Sequence, residues 1–354
     1  MTAICPEPTV VCDARALTSF ARSVLHAIGL RDSDARYMAE QIVASDLAGH
    51  ESHGVRRLSE YVRRAKEGYA DPTASAVIEL DHGSLVRING HRGFGHLIMR
   101  DATEIAIQRS RSHGIAAVAV HNSEYAGRFA DFCEHAASAG IATILFANDS
   151  GAGQDVAPPG GLEGRLSTNP IAAGIPRAAS PHLVLDMATS TVAMGRVAEW
   201  RDRREEIPSD WITRQGTLQP FGGVKGFGLA LVAEALGGAL TTAGTVSAAP
   251  AAERQGVLLI AIDVSRLRAL DEFIAQVESF VHHVIDTPVS PGAAPIRMPG
   301  EGSAETARIR RAEGIPVQPF TWRELTRLAA DFGLAQPVTA ARPGEVTRPA
   351  NQTS

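Results

Sequence analysis

The period of the apolar side chains changes near residue 70, and that change constrains the fold more than any other feature of the chain. Up to that point the spacing is helical. Ala14, Leu17, Phe20, Ala21, Val24 and Leu25 share one face, and Gly29 sits just past its end. A second helix is expected from about Asp34 to Leu47, with Tyr37, Met38, Ile42 and Val43 on its apolar side. A third is expected near Arg57 to Lys66, stopping at Gly68. The turn residues of Gly68-Tyr69-Ala70-Asp71-Pro72 then close the helical part.

Beyond this turn, short β-type runs alternate with helical ones. Val77 to Leu80 and Leu85 to Ile88 read as strands joined by Asp81-His82-Gly83-Ser84, a hairpin signal. Strands are expected at Ile115 to Val120, Ile141 to Ala147, 183 to 186 and Val257 to Val264. Helices are expected at 96 to 112, Arg128 to Ala139, Lys225 to Leu240 and Leu270 to Val284. The alternation defines a mixed α/β class with a helical N-terminal part. Residues 341 to 354 hold little to bury and read as a mobile tail.

Composition narrows the function. The 354 residues, 44% of them hydrophobic, can build one large or two to three ordinary cores. A net charge of -5 with interspersed signs argues against nucleic-acid or anionic-membrane binding. Cys5, Cys12 and Cys133 show no paired spacing, which fits a reducing compartment. No His or Cys pair has ligand spacing beside a carboxylate cluster, so no metal site is expected. Neither a signal peptide nor an apolar run long enough for a membrane helix is visible, so a cytoplasmic location is expected.

The segment from Asp46 to Leu58 concentrates chemistry. Ser52-His53-Gly54 followed by Arg57 offers a proton donor and an anion clamp on one short stretch, a pairing suited to reducing a carbonyl or imine next to a carboxylate. A polar helix-to-helix turn broken at Gly54 would use the same residues. Asp186 stands where an apolar strand ends. Gly222-Gly223-Val224-Lys225-Gly226-Phe227-Gly228 is Gly-rich, carries a Lys and opens a helix, so it suits either a phosphate or a tight turn. Neither a Rossmann nor a P-loop fingerprint occurs.

Five motifs in one order carry a resemblance. Ser52-His53-Gly54 with Arg57, Thr168-Asn169-Pro170, Leu185-Asp186-Met187-Ala188-Thr189, Gly222-Gly223-Val224-Lys225-Gly226 and Met298-Pro299-Gly300-Glu301 together resemble the type 2 malate/L-lactate dehydrogenase family from about residue 13 to 335. Its relatives include ureidoglycolate, 2,3-diketogulonate, sulfolactate and Δ1-piperideine-2-carboxylate oxidoreductases. The resemblance implies a non-Rossmann fold. A helical domain over 1–72 would be completed by residues from about 300 to 340, and an α/β cofactor- and substrate-binding domain would span 73–299. It also implies NAD or NADP as cofactor, a small carboxylate substrate and a homodimer. Carried over by position, His53 would donate the proton, Ser52 and Asp186 would orient it, and Arg57 would clamp the substrate carboxylate. Tyr125, Gly127, Arg128, Thr168, Asn169, Lys225, Gly226, Gly300 and Glu301 would line the cofactor.

Two departures stand out. Asn122-Ser123-Glu124-Tyr125-Ala126-Gly127-Arg128 has Tyr125 where relatives usually carry a His, and the stretch between Asp186 and Gly222 is short. They keep two alternatives open beside reduction of a 2-oxo acid: a cyclic-imine carboxylate as substrate, or a diverged member with a non-redox or binding role.

Overall fold

The computed structural model describes residues 9–151, 153–193, 197, 200–201, 205–248 and 254–337. The expected tail at 341–354 and Cys5 lie outside the described residues. Two helices lead. In α1 (Ala14–Ala27) the Asp13 carboxylate accepts the Ala16 N–H at 2.9 Å and so caps the first turn. Helix α2 (Asp32–Leu47) begins slightly ahead of its expected start, with Asp32 and Asp34 in the first turn where the helix dipole favours negative charge. Two single 3₁₀ turns, Glu51–His53 and Val55–Arg57, then bend the chain into α3 (Leu58–Lys66).

The helical faces read from sequence are the buried ones. Leu17, Leu25, Met38, Ile42 and Leu58 are fully buried in one apolar core. Residues from the far end of the chain complete that core: Ala307 from α8 (Glu301–Glu313) and Leu325 and Leu328 from α9 (Pro319–Phe332). The two ends are joined directly. Strand β1 (Val10–Cys12) pairs antiparallel with β9 (Ile315–Val317), Val10 opposite Val317 and Cys12 opposite Ile315. Neither three-residue strand carries a readable period.

The second core surrounds a seven-stranded sheet in the order β2-β3-β4-β8-β5-β6-β7. Its strands are β2 (Val77–Asp81), β3 (Leu85–Asn89), β4 (Ile115–Ser123), β5 (Ile141–Asp149), β6 (Ile171–Ile175), β7 (Leu183–Met187) and β8 (Gln255–Asp263). The hairpin forms as its turn chemistry implies: Asp81 accepts the Gly83 N–H at 3.0 Å. Only β3 and β4 run parallel; every other pairing is antiparallel. A doubly wound nucleotide fold needs a mostly parallel sheet, so the missing fingerprint and the observed topology agree. Strand β8 sits at the centre between β4 and β5, and its run Val257-Leu258-Leu259 is buried. Helices α4 (Gly95–His113) and α5 (Ala130–Ser138) pack against the sheet. Helix α6 (Val224–Ala233) runs on into a π-helical turn at Glu234–Ala239, and α7 (Leu270–Ile285) follows β8.

Candidate active site

The 3₁₀ turns between α2 and α3 form one wall of a cleft of about 2210 Å³, far above the about 300–1,000 Å³ usual for a ligand pocket. Their shape is fixed from below. Asp46, at the end of α2, is buried, and its Oδ2 accepts the Val55 N–H at 2.8 Å. A Cβ on Gly54 would fall 1.9 Å from Asp46 Oδ1, so only glycine fits over that carboxyl group. Burial pushes the Asp46 pKa up to about 8, so the group holds a proton near neutrality.

This loop presents Ser52, His53 and Arg57 together. Ser52 Oγ lies 2.9 Å from His53 Nδ1, which leaves Nε2 for a ligand. The Arg57 guanidinium donates to Ser52 O at 2.9 Å and to Glu60 Oε2 at 2.5 Å, and it lies over the Tyr125 ring, 4.5 Å from its centroid. Tyr125 also abuts His53, with ring centroids 5.8 Å apart. Burial, and then the positive charge of Arg57, push the His53 pKa down to about 3, so its imidazole is neutral in the ligand-free protein. His50 adds a second imidazole; its Nε2 lies 3.1 Å from Ser303 Oγ on α8.

The opposite wall comes from the sheet. Asp186, at the end of β7, accepts the Ala130 N–H at 2.8 Å, and burial raises its pKa to about 6. No hydrogen bond joins it to His53 among the described residues; the side chain instead caps the start of α5. Arg128 lies on the same wall, ion-paired with Asp131. Gly127, with φ +80°, is pressed against His96, whose Nε2 would lie 2.2 Å from any Cβ there.

Of the thirteen residues singled out from sequence, nine line this cleft: Ser52, His53, Arg57, Tyr125, Gly127, Arg128, Thr168, Asp186 and Gly300. The other four do not. Asn169 is fully buried and donates to Ala230 O at 3.0 Å and Glu234 Oε2 at 2.8 Å, anchoring α6 to the sheet. Gly226 is buried where a Cβ would lie 2.3 Å from Phe221 O, so it serves close packing. Lys225 is exposed on the first turn of α6. Glu301 accepts the Met298 N–H at 2.9 Å and lies 3.5 Å from Arg177.

Several site residues carried no sequence signal strong enough to single them out. Glu60 was readable only as the i+3 partner of Arg57 on a helix. Tyr61 and His96 lie behind Tyr125, and Glu124 is buried between Arg64 and Arg254, contacts that span 60 and 130 residues. Among the described residues no group of His, Cys, Asp and Glu could hold a metal ion, and no helix is long and apolar enough to cross a membrane.

A mostly antiparallel sheet joined to terminal helices, with an imidazole and a guanidinium on one cleft wall, sets this chain apart from the doubly wound Rossmann proteins. Residues 12–326 match the malate/L-lactate dehydrogenase family, and the chain belongs to that family of oxidoreductases. It is 34% identical over 340 residues to L-lactate dehydrogenase of Cupriavidus necator, covering 90% of this chain and 96% of that one. Malate dehydrogenase from Entamoeba histolytica superposes with a TM-score of 0.87 at 26% identity, over 93% of this chain and 100% of that one. Δ1-Piperideine-2-carboxylate reductase from Pseudomonas syringae pv. tomato does so with a TM-score of 0.77 at 26% identity, over 90% and 99%.

Proposed function

We propose that this chain reduces a 2-oxo carboxylic acid to the 2-hydroxy acid, or runs the reverse reaction, with NAD or NADP as cofactor. The observation that carries the reading is the wall built by Ser52, His53 and Arg57, where a guanidinium and an imidazole face one cleft and would serve as carboxylate clamp and proton carrier. The cleft suits a dinucleotide beside a small acid. Gly127 and Gly300 keep its walls thin, and the N-terminus of α8 borders it at Gly300, Ser303 and Ala304, where helix-dipole charge favours a phosphate. The nicotinamide ring supplies the hydride when bound.

The protein's own part is binding, orientation and the proton. Arg57, held by Ser52 O and Glu60, meets the substrate carboxylate through its planar fork. That carboxylate brings negative charge to the field that holds His53 neutral, so binding raises the affinity of Nε2 for a proton. His53 then carries a proton where oxygen charge develops, while Ser52 fixes Nδ1 and the ring orientation. Asp186 and Arg128 shape the facing wall. A cyclic-imine carboxylate would use the same clamp and the same proton, a second reading favoured by the likeness to a piperideine-2-carboxylate reductase.

The division into a helical unit (1–72 with 300–340), an α/β unit (73–299) and a tail belongs to the same proposal, supported by two apolar cores that follow it except at Phe94 and Leu97, which pack into the helical one. So do homodimerisation and a cytoplasmic location. The test is titration with NADH and with NADPH, followed by tryptophan quenching, and then turnover of a panel of 2-oxo acids and cyclic imines. Saturable micromolar binding of one cofactor and turnover abolished in His53→Ala are expected. A folded protein that binds neither cofactor refutes the reading.

A further inference from the structure

Eight buried side-chain polar atoms among the described residues lack a well-formed hydrogen bond, and four of them sit in one contiguous group: Tyr61 Oη, both ring nitrogens of His96, and Tyr125 Oη, the last with the Arg57 guanidinium beside it. The group forms a column of rings that runs inward from the cleft. His53 and Tyr125 are 5.8 Å apart, Tyr125 and His96 6.4 Å, and His96 and Tyr61 5.7 Å, the last two pairs edge to face. Phe94 closes the apolar end against Tyr61 at 5.6 Å. Of the inner three, only Tyr125 borders the cleft.

An orphaned buried polar atom costs about 1–3 kcal/mol, and four together are not tolerated without partners. These three side chains do not supply them to one another. All three are held neutral. Burial raises both tyrosines above their ordinary range, and burial followed by the Arg57 charge brings His96 down to about 3. Two hydroxyls and a neutral imidazole each donate and accept, the complement a small polar guest such as water needs.

The geometry points to a buried hydrated pocket behind Tyr125, with Tyr61 and His96 as positioning residues that hold water against the Tyr125 hydroxyl. Fixing that hydroxyl fixes the ring on which the Arg57 guanidinium lies and against which His53 packs. The kinetic part of this inference rests on the proposed reaction; the pocket itself does not.

Two experiments separate these parts. The first is a high-resolution crystal structure of the wild-type protein, which should show at least one ordered water bonded to two or more of these side chains. A dry group there overturns the inference. The second compares Tyr61→Phe, His96→Leu and His96→Gln with the wild type. The first two should raise KM for the carboxylate substrate about tenfold, in line with the cost of a small misplacement, with cofactor affinity unchanged. His96→Gln, which keeps a donor and an acceptor, should restore most of the loss. Unchanged KM in Tyr61→Phe and His96→Leu, with a gain in thermal stability, would mark the groups as uncompensated polar atoms and overturn the positioning role. A wild type that turns over no carboxylate yet shows the ordered water supports the pocket and removes the reaction.

Discussion

Gly54→Ala is the sharpest perturbation of the site that does not touch a reacting group. The added Cβ would lie 1.9 Å from Asp46 Oδ1, 2.2 Å from Cγ and 2.4 Å from Oδ2, and no rotamer of alanine avoids this. Either the Asp46 carboxyl group or the 3₁₀ turn must move. Overpacking costs about 1–3 kcal/mol, and stranding the Val55 N–H adds about 1–3 kcal/mol, giving roughly 2–6 kcal/mol in all. At a few degrees per kcal/mol, the melting temperature should fall by roughly 5–15 °C. The turn carries Ser52, His53 and Arg57, so a displacement near 1 Å should also lower kcat/KM by about 100-fold. Thermal denaturation and steady-state turnover measure the two effects. Asp46→Ala/Gly54→Ala makes room for the new Cβ and should recover part of the stability. A Gly54→Ala protein as stable and as active as the wild type would refute the claim that the buried carboxyl group shapes the catalytic turn.

Other expectations follow from the same geometry. Arg57→Lys removes the planar fork and should raise substrate KM by about 10- to 100-fold, since hydrogen bonds to charged groups contribute about 1.5–3 kcal/mol; an unchanged KM would place the carboxylate elsewhere. Asp46 is raised from 3.8 to about 8 on folding, so the stability linked to its proton is complete below about pH 4 and is lost as pH rises to about 8. Asp46→Asn should therefore gain on the wild type between about pH 4 and 8 in chemical denaturation, the span of that titration. His53 and His96 are lowered from 6.5 to about 3, so the stability they contribute is present above pH 6.5 and is lost as pH falls toward 3. Replacing either by Gln should flatten that acid limb, and identical limbs would show that neither ring is buried neutral. Because kcat/KM reports the free enzyme and kcat the complex, the imidazole step should appear at higher pH in kcat than in kcat/KM; coincident profiles would deny that substrate charge tunes His53.

Much of the local structure was legible in the chain because it depends on short spacings. Leu17, Val24, Met38 and Ile42 announce buried helix faces, and Asp81-His82-Gly83-Ser84 announces the hairpin. Ser52, His53 and Arg57 were legible as a group because one short turn holds all three. Contacts between distant segments were not. Nothing in Val10 to Cys12 shows that residue 317 lies opposite, and nothing near Gly54 shows that Asp46 fills the space beneath it. Asn169 and Gly226 stand inside recognisable motifs, yet their environment is packing against α6 and Phe221. A motif fixes residue type and order, whereas the role of each side chain depends on what the rest of the fold brings beside it.

The place of β8 bears on how the molecule is made. It alone bridges β4 and β5, so before residue 263 leaves the ribosome the sheet can exist only as two separate three-stranded pieces, each with a bare inner edge. The nascent chain must keep both edges apart from other strands while more than 100 residues after β5 are synthesised. Truncated products ending ahead of Gln255 should therefore be degraded or bound by chaperones, and the β8 segment supplied in trans is the piece that would complete them.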